Sequence, residues 1–299
     1  MTTIRLSPER EVIIRERLWE GDISDIFDAT LCDTNPKDEP KKVRSRYARI
    51  MDQVVSGNVR PVLVKVAKQP YFNDLIARDI EALGKLHPEQ GIKGRTFPKY
   101  YPASYGGILV DGHQGHILDR IENCVTLADV LKSYPKGIDY RDMAWMLKRV
   151  LVGLWFAHKR RIIHGAVLPS HILLTLHDHG GRLIDWSYST KPRENVPAMV
   201  TEYEDYYPPE VPNSDPASGG TDIYMAVKCA QALLGGDLKT KDFPDSVPEP
   251  IRTLFGLCLN ENVYMRPIDA SEVHDTFTKL LQDVVGKPTF RPFLLPELL

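Results

Sequence analysis

The sequence lacks any apolar run approaching the roughly 18 residues that a membrane-spanning helix needs, which argues against an integral membrane protein. Its first residues, MTTIRLSPEREV, lack the apolar core of a secretory leader, so a cytoplasmic location is expected. It has few cysteines, and Cys32, Cys124, Cys229 and Cys258 show neither a CxxC pair nor metal-ligand spacing. They read as free, mostly buried thiols in a reducing compartment. It has no excess of one charge: 38 Lys and Arg against 40 Asp and Glu leave a net −2. No global basic field therefore calls for nucleic acid or an anionic membrane, and a protein partner is the better expectation. Internal repeats are absent as well. What is present is ordinary for a globular chain: 299 residues, 42% hydrophobic and 26% charged, enough for one large domain or two small ones.

The first third alternates short β-rich runs with polar loops. DIFDATL (25–31), RPVLVKVAK (60–68) and GHILDRI (115–121) read as strands from their β-branched and apolar enrichment. Leu75, Ile76, Asp79, Ile80, Leu83 and Leu86 recur at helical spacing, with Pro88 marking an end. From about residue 125 the pattern turns helical, with helices expected over 143–160, 221–236 and 271–285. ILLTLHDHGGRLIDW (172–186) reads as a hairpin whose turn needs positive φ at Gly180 and Gly181. A β-rich region followed by a helical remainder implies an α+β protein with two lobes. Residues 1–10 read as a tail, 11–121 as the β-rich lobe and 122–285 as the helical lobe. The remaining 286–299 (GKPTFRPFLLPELL) read as a second tail that packs back along a lobe. The segment 33–58 is a charged insertion between two strands, either a solvated loop or a partner-binding element.

The order of motifs resembles the protein-kinase family over about residues 11–284. HGAVLPSHILL, beginning at His164, stands where that family writes its catalytic loop, and IDWS, with Asp185, where it writes the metal-binding motif. LWEGDISDIF (18–27) lies at the glycine-rich loop and VLVK (62–65) at the strand lysine. ARDIEALGKLH (77–87) lies at the helix carrying the lysine's carboxylate partner. YPPE (207–210) resembles the end of the activation segment. Asp222 resembles the aspartate opening the large buried helix, and Arg266 the late arginine that pairs with Glu210. The resemblance implies a bilobal protein-kinase-like fold, with a β-rich N-lobe and a helical C-lobe.

Departures from the family pattern decide the expected function. Phosphoryl transfer needs a lysine on the phosphates, a base beside the acceptor hydroxyl and metal ligands. Lys65 fits the first role, with Asp79 as its implied partner; Glu81 lies about 200° round the helix and should face elsewhere. The base position is Ala166, which cannot accept a proton, and loss of a general base typically costs about 10²–10⁴-fold. The loop lysine is replaced by Leu168 and the metal-binding asparagine by His171, leaving Asp185 as the retained metal ligand. The resemblance therefore implies a pseudokinase, a regulatory or binding module. The alternatives are an atypical ATP-dependent transferase, including AMP transfer with Asp185 and His171 on a metal, and a small-molecule phosphotransferase.

Features bearing on ATP point both ways. Lys65, Asp185 and Gly21 favour a nucleotide with Mg or Mn. By resemblance Asp119 and Ile121 would offer backbone groups to adenine, with Leu173 as its floor and Ile26 as its roof. Trp19, Ser24 and Leu63 replace smaller residues and oppose it. Gly165 stands where an active kinase keeps the basic anchor for a loop phosphate, so regulation through TEYEDYYPPE is not expected. The tyrosines of that segment are either packed or part of a partner surface.

Overall fold

A computed structural model describes residues 2–33, 59–87, 97–287 and 289–296. Of the insertion 33–58, Asp33 ends a strand and residues 34–58 lie outside the described residues, as does Pro88. The chain is mixed α+β and divides into two compact units. One comprises Met1–Gly84 with Ala103–Ile121, and the other Lys85–Pro102 with Glu122–Leu299.

The first unit is a six-stranded antiparallel sheet. Its strands are β1 (Thr2–Ser7), β2 (Arg10–Glu20), β3 (Ser24–Asp33), β4 (Val59–Ala67), β5 (Ser104–Val110) and β6 (His113–Asp119). They lie in the order β1-β2-β3-β4-β6-β5. Successive side chains on a strand point to opposite faces, so β4 buries Val62 and Val64 together. These two join Val12, Ile14, Ala29, Leu31, Ile108 and Ile117 in one apolar cluster. Residues 1–10, a tail on sequence grounds, contribute β1 instead, because Ile4 and Leu6 alternate onto that same cluster. Helix α1 (Asn73–Leu86) follows β4, with Ile76, Asp79, Ala82 and Leu83 buried.

The second unit is mainly helical. It holds α2 (Leu127–Ser133), α3 (Tyr140–Lys159), α4 (Gly219–Leu233), α5 (Glu249–Cys258) and α6 (Ala270–Val285). A small sheet of β7 (Val125–Thr126), β8 (Ile172–Thr175) and β9 (Gly180–Leu183) completes it. Helix starts follow capping chemistry. Asp139 accepts from the Arg141 amide, Asp269 from the Ser271 amide, and Ser218 with Thr221 forms a capping box on α4. Helix α4 is buried almost from end to end, including Asp222, Lys228 and Gln231. It is the axis on which the loops described below are hung.

The β8–β9 hairpin forms where the sequence implies it, but its left-handed residue is His179, at φ 53°, rather than Gly180 or Gly181. Gly180 is required for another reason: a Cβ there would lie 2.1 Å from the Thr175 hydroxyl oxygen. The C-terminal segment packs within the helical unit. Phe293 and Leu295 are buried, and the Tyr134 hydroxyl donates to the Leu294 carbonyl at 2.6 Å. All four cysteines are free, with Cys32, Cys229 and Cys258 buried. Burial pushes the Cys258 thiol up to about 12, so it stays protonated at neutral pH. Among the described residues no helix is long and apolar enough to cross a membrane.

Candidate functional site

Candidate residues gather in two clusters, one in each unit. In the sheet unit the register aligns Ile26 of β3 with Lys65 of β4, and Lys65 with His116 of β6. Cross-strand partners share a face, so these three side chains form one row opposite the apolar cluster. Lys65 and Asp79 are both essentially dry, 3% and 1% exposed, and Lys65 Nζ stands 3.9 Å from Asp79 Oδ2. The same carboxylate oxygen accepts from His116 Nδ1 at 2.7 Å, and His116 Nε2 lies 2.8 Å from the Ser104 hydroxyl. The result is a buried chain running Lys65, Asp79, His116, Ser104. Asp79 is a methylene shorter than glutamate, and His116 occupies the space beside it. Glu81 is exposed, as its angle round the helix requires.

His116 escaped the sequence reading. Its strand is recognisable, but the alignment of His116 with Lys65 exists only once the β4–β6 register is known.

In the helical unit the loop His164–Ser170 leads into β8. The buried imidazole of His164 lies between two backbone groups: Nε2 donates to the Ile184 carbonyl at 3.1 Å, and Nδ1 accepts from the Ala166 amide at 3.3 Å. Burial is the main reason its pKa falls to about 4, so the ring is neutral near pH 7. Ala166, Val167 and Leu168 are each 0% exposed. The positions that would face chemistry therefore hold apolar side chains packed out of reach of water.

His171 Nδ1 donates to the Ala166 carbonyl at 2.9 Å, which leaves a lone pair on Nε2 in the neutral ring. That atom stands 3.6 Å from Asp185 Oδ2. Asp185 itself is held in the left-handed region, at φ 59° and ψ 69°. Such a conformation is uncommon outside glycine and clusters at functional positions. Among the described residues no group of three or more His, Cys, Asp or Glu could hold a metal ion. His171 and Asp185 are thus at most half of a coordination shell.

The loop rests on α4. Asp222 is fully buried and accepts from the His164 amide at 2.8 Å, the Gly165 amide at 2.9 Å and His158 Nε2 at 2.8 Å. Gly165 has φ +75°, and a Cβ there would lie 2.4 Å from the Tyr188 carbonyl oxygen. No basic side chain fits that position; the backbone demands glycine. Below it Arg266 grips Glu210 with two bonds of 2.7 Å, and Thr221 donates to the same carboxylate at 2.9 Å. Of the tyrosines in the segment 201–207, Tyr206 and Tyr207 are buried, and the Tyr207 hydroxyl accepts from the Val200 amide at 3.1 Å.

The remaining sequence candidates occupy more ordinary settings. A Cβ on Gly21 would lie 2.8 Å from the Ser24 carbonyl oxygen, to which the Gly21 amide donates at 3.0 Å, so its own turn already requires glycine. Trp19 is 69% exposed on β2, paired with Ile26. Asp119 ends β6 with its amide given to the Ala103 carbonyl at 2.9 Å, and Ile121 follows, half-buried. Leu173 is half-buried on β8 between Thr126 and Arg182.

Over 115 residues the chain is 29% identical to mitogen-activated protein kinase kinase kinase 8 of Rattus norvegicus. The match covers 38% of this chain and 22% of that protein. No protein-family model matches the chain. A distant, partial similarity to a kinase is therefore on record beside the geometry.

Proposed function

We propose that the chain is a kinase-like domain of the bilobal kind that has lost phosphoryl transfer: a pseudokinase serving as a regulatory or binding module for a protein partner in the cytoplasm. The observation that carries this reading is Ala166, which stands at the position of the catalytic base and is wholly buried, as are Val167 and Leu168 after it. A proton acceptor must reach the hydroxyl it activates, and this stretch offers none. The supports beneath the loop, Asp222 and the Glu210–Arg266 pair, are in place, as expected of a scaffold kept for its shape.

ATP is the candidate ligand. The sheet unit offers Lys65 as a cation for phosphate, held by Asp79. The helical unit offers Asp185 to the accompanying metal. An imidazole beside a carboxylate suits Mn²⁺ better than Mg²⁺, which prefers oxygen ligands throughout. The proximity of His171 Nε2 and Asp185 also favours one second reading, an atypical transferase that uses this pair to bind a metal. In either case this chain supplies charge and orientation, and the bound cation would supply neutralisation of the phosphates.

Thermal melting with ATP, alone and with Mg²⁺ or Mn²⁺, tests both readings, since a ligand that prefers the folded state raises stability by mass action. The expected result is a rise with Mn²⁺–ATP and background label transfer from ATP labelled at either the α or the γ phosphate. Robust γ-phosphate transfer that disappears in Asp185→Ala would overturn the pseudokinase reading. Robust α-label transfer would establish the second. An absence of any melting response would remove nucleotide binding and leave the partner-binding role alone.

A further inference from the structure

The helical unit contains a cavity of about 340 Å³ between α3, α6 and the C-terminal segment, well away in sequence from the loop 164–171. Its wall carries five cations, Arg141, Lys148, Arg149, Lys287 and Arg291, and among the described residues lining it none is acidic. Two of the five are neutralised from behind. Arg141 pairs with Asp139 at 2.6 Å, and Arg291 reaches Asp139 and Asp142, each at 3.4 Å. Lys148, Arg149 and Lys287 have no ion pair among the described residues. Arg149 instead spends its Nε–H on the His179 carbonyl at 2.7 Å.

The rest of the wall is apolar and aromatic. Ala144, Val152 and Leu281 line it together with Trp145. The indole stacks on His179 at 4.2 Å and 6°, and His179 stacks in turn on Phe290 at 4.3 Å. Trp145 and Thr278 are among the lining residues, while Trp145 Nε1 and Thr278 Oγ1 are themselves shielded from the cavity. The C-terminal segment is fixed at the rim, where the Arg291 carbonyl accepts from His179 Nε2 at 2.8 Å.

We propose that this cavity binds a small organic phosphate: a doubly charged phosphate ester carried on a compact ring. Three unbalanced cations call for a dianion in preference to a monocarboxylate. The guanidinium and ammonium groups of the wall supply donors for phosphate oxygens, and the apolar and aromatic wall takes the ring. The volume lies at the lower end of the range for small-molecule sites and is too small for a folded partner. Burial and the neighbouring Arg149 charge lower the Lys148 pKa against the opposing charge of Asp275, and an anion in the cavity would act in the same direction as Asp275. The site stands independently of the nucleotide reading, since none of Lys65, Asp79, His171 and Asp185 lines it.

Calorimetric titration of the full chain with 1-naphthyl phosphate tests it. Saturable binding at one site is expected, with 1-naphthol and inorganic phosphate each at least about tenfold weaker because each lacks half of the recognised chemistry. Lys148→Gln combined with Lys287→Gln should weaken the ester about tenfold. Lys287→Gln alone, on an exposed side chain that leaves folding intact, should weaken it by a smaller factor of about three. Lys65→Met should leave the affinity unchanged, which separates this cavity from any nucleotide site. No saturable binding up to about 5 mM would overturn the proposal. So would undiminished binding by the double variant, or binding that is lost in Lys65→Met.

Discussion

Two buried charge clusters in this protein are built to different tolerances. In the helical unit Arg266 meets Glu210 through two bonds of 2.7 Å, with Thr221 on the carboxylate and the Asn260 and Glu261 carbonyls on the guanidinium. Every guanidinium nitrogen has a partner, and the contact with Glu210 is bidentate. In the sheet unit Lys65 stands 3.9 Å from Asp79, and the carboxylate gives its shorter contact, 2.7 Å, to His116. The first cluster is locked and can only hold the fold together. The second is longer, and its carboxylate is shared between the lysine and an imidazole. Within one chain, two buried charge pairs thus differ in how closely their partners approach.

The largest effect should come from breaking the tight pair. Arg266→Met leaves Glu210 buried and charged without its partner and should cost about 3–5 kcal/mol, read from urea unfolding. Adding Glu210→Met should recover a large part of that, because the penalty belongs to the orphaned carboxylate rather than to the lost attraction. A double variant as unstable as the single one would show that the pair has a role beyond its own charges.

Next in size is an effect of pH. His164 has a folded pKa of about 4 against an ordinary 6.5, principally because it is buried. Between those values the unfolded chain binds a proton that the folded chain refuses, so stability rises with pH across the window. The contribution is fully present above about pH 6.5, falls as the pH drops, and is gone below about pH 4, a change of about 3 kcal/mol. His164→Asn should flatten that part of the stability profile. An unchanged slope would place the titration elsewhere.

The loose cluster should respond less. In Lys65→Met, Asp79 keeps His116, so the expected cost is about 1–2 kcal/mol, well below that of Arg266→Met. Equal costs in the two variants would erase the distinction drawn between the clusters. His116→Ala removes the shorter contact and should cost Lys65→Met its tolerance, which a double-mutant cycle reads as coupling between residues 65 and 116.

How much of this was legible in the sequence follows the range of the interactions. The β4 alternation of Val62 and Val64, the long helix 143–160 and the order of loops around His164 and Asp185 are local, and they were readable. Strands β1, β2 and β5 were not: β5 carries Gly106 and Gly107, and β1 is a six-residue edge whose apolar content is only Ile4 and Leu6. Helix α5 was missed although Pro250 stands in its first turn, a start signal that competes with proline's more frequent reading as a breaker. Asp79 was implied by the resemblance of its motif, and the helix angle then set Glu81 aside. His116 could not be found, because its role depends on a register between strands separated by some fifty residues of chain.

A neutral bond sets the scale for both charged clusters. The Tyr101 hydroxyl donates to the Gly153 carbonyl at 2.5 Å, with the ring 1% exposed and edge-on to Trp186 at 5.4 Å. Burial pushes its pKa well above the ordinary phenol range, so it remains a donor at every pH used for the other variants. Tyr101→Phe keeps the ring and removes one bond, leaving the Gly153 carbonyl without that donor. The expected loss is about 1 kcal/mol, independent of pH and of salt. Against that baseline, a Lys65→Met cost no larger than the Tyr101→Phe cost would mean that the Lys65–Asp79 charge contributes nothing to the fold.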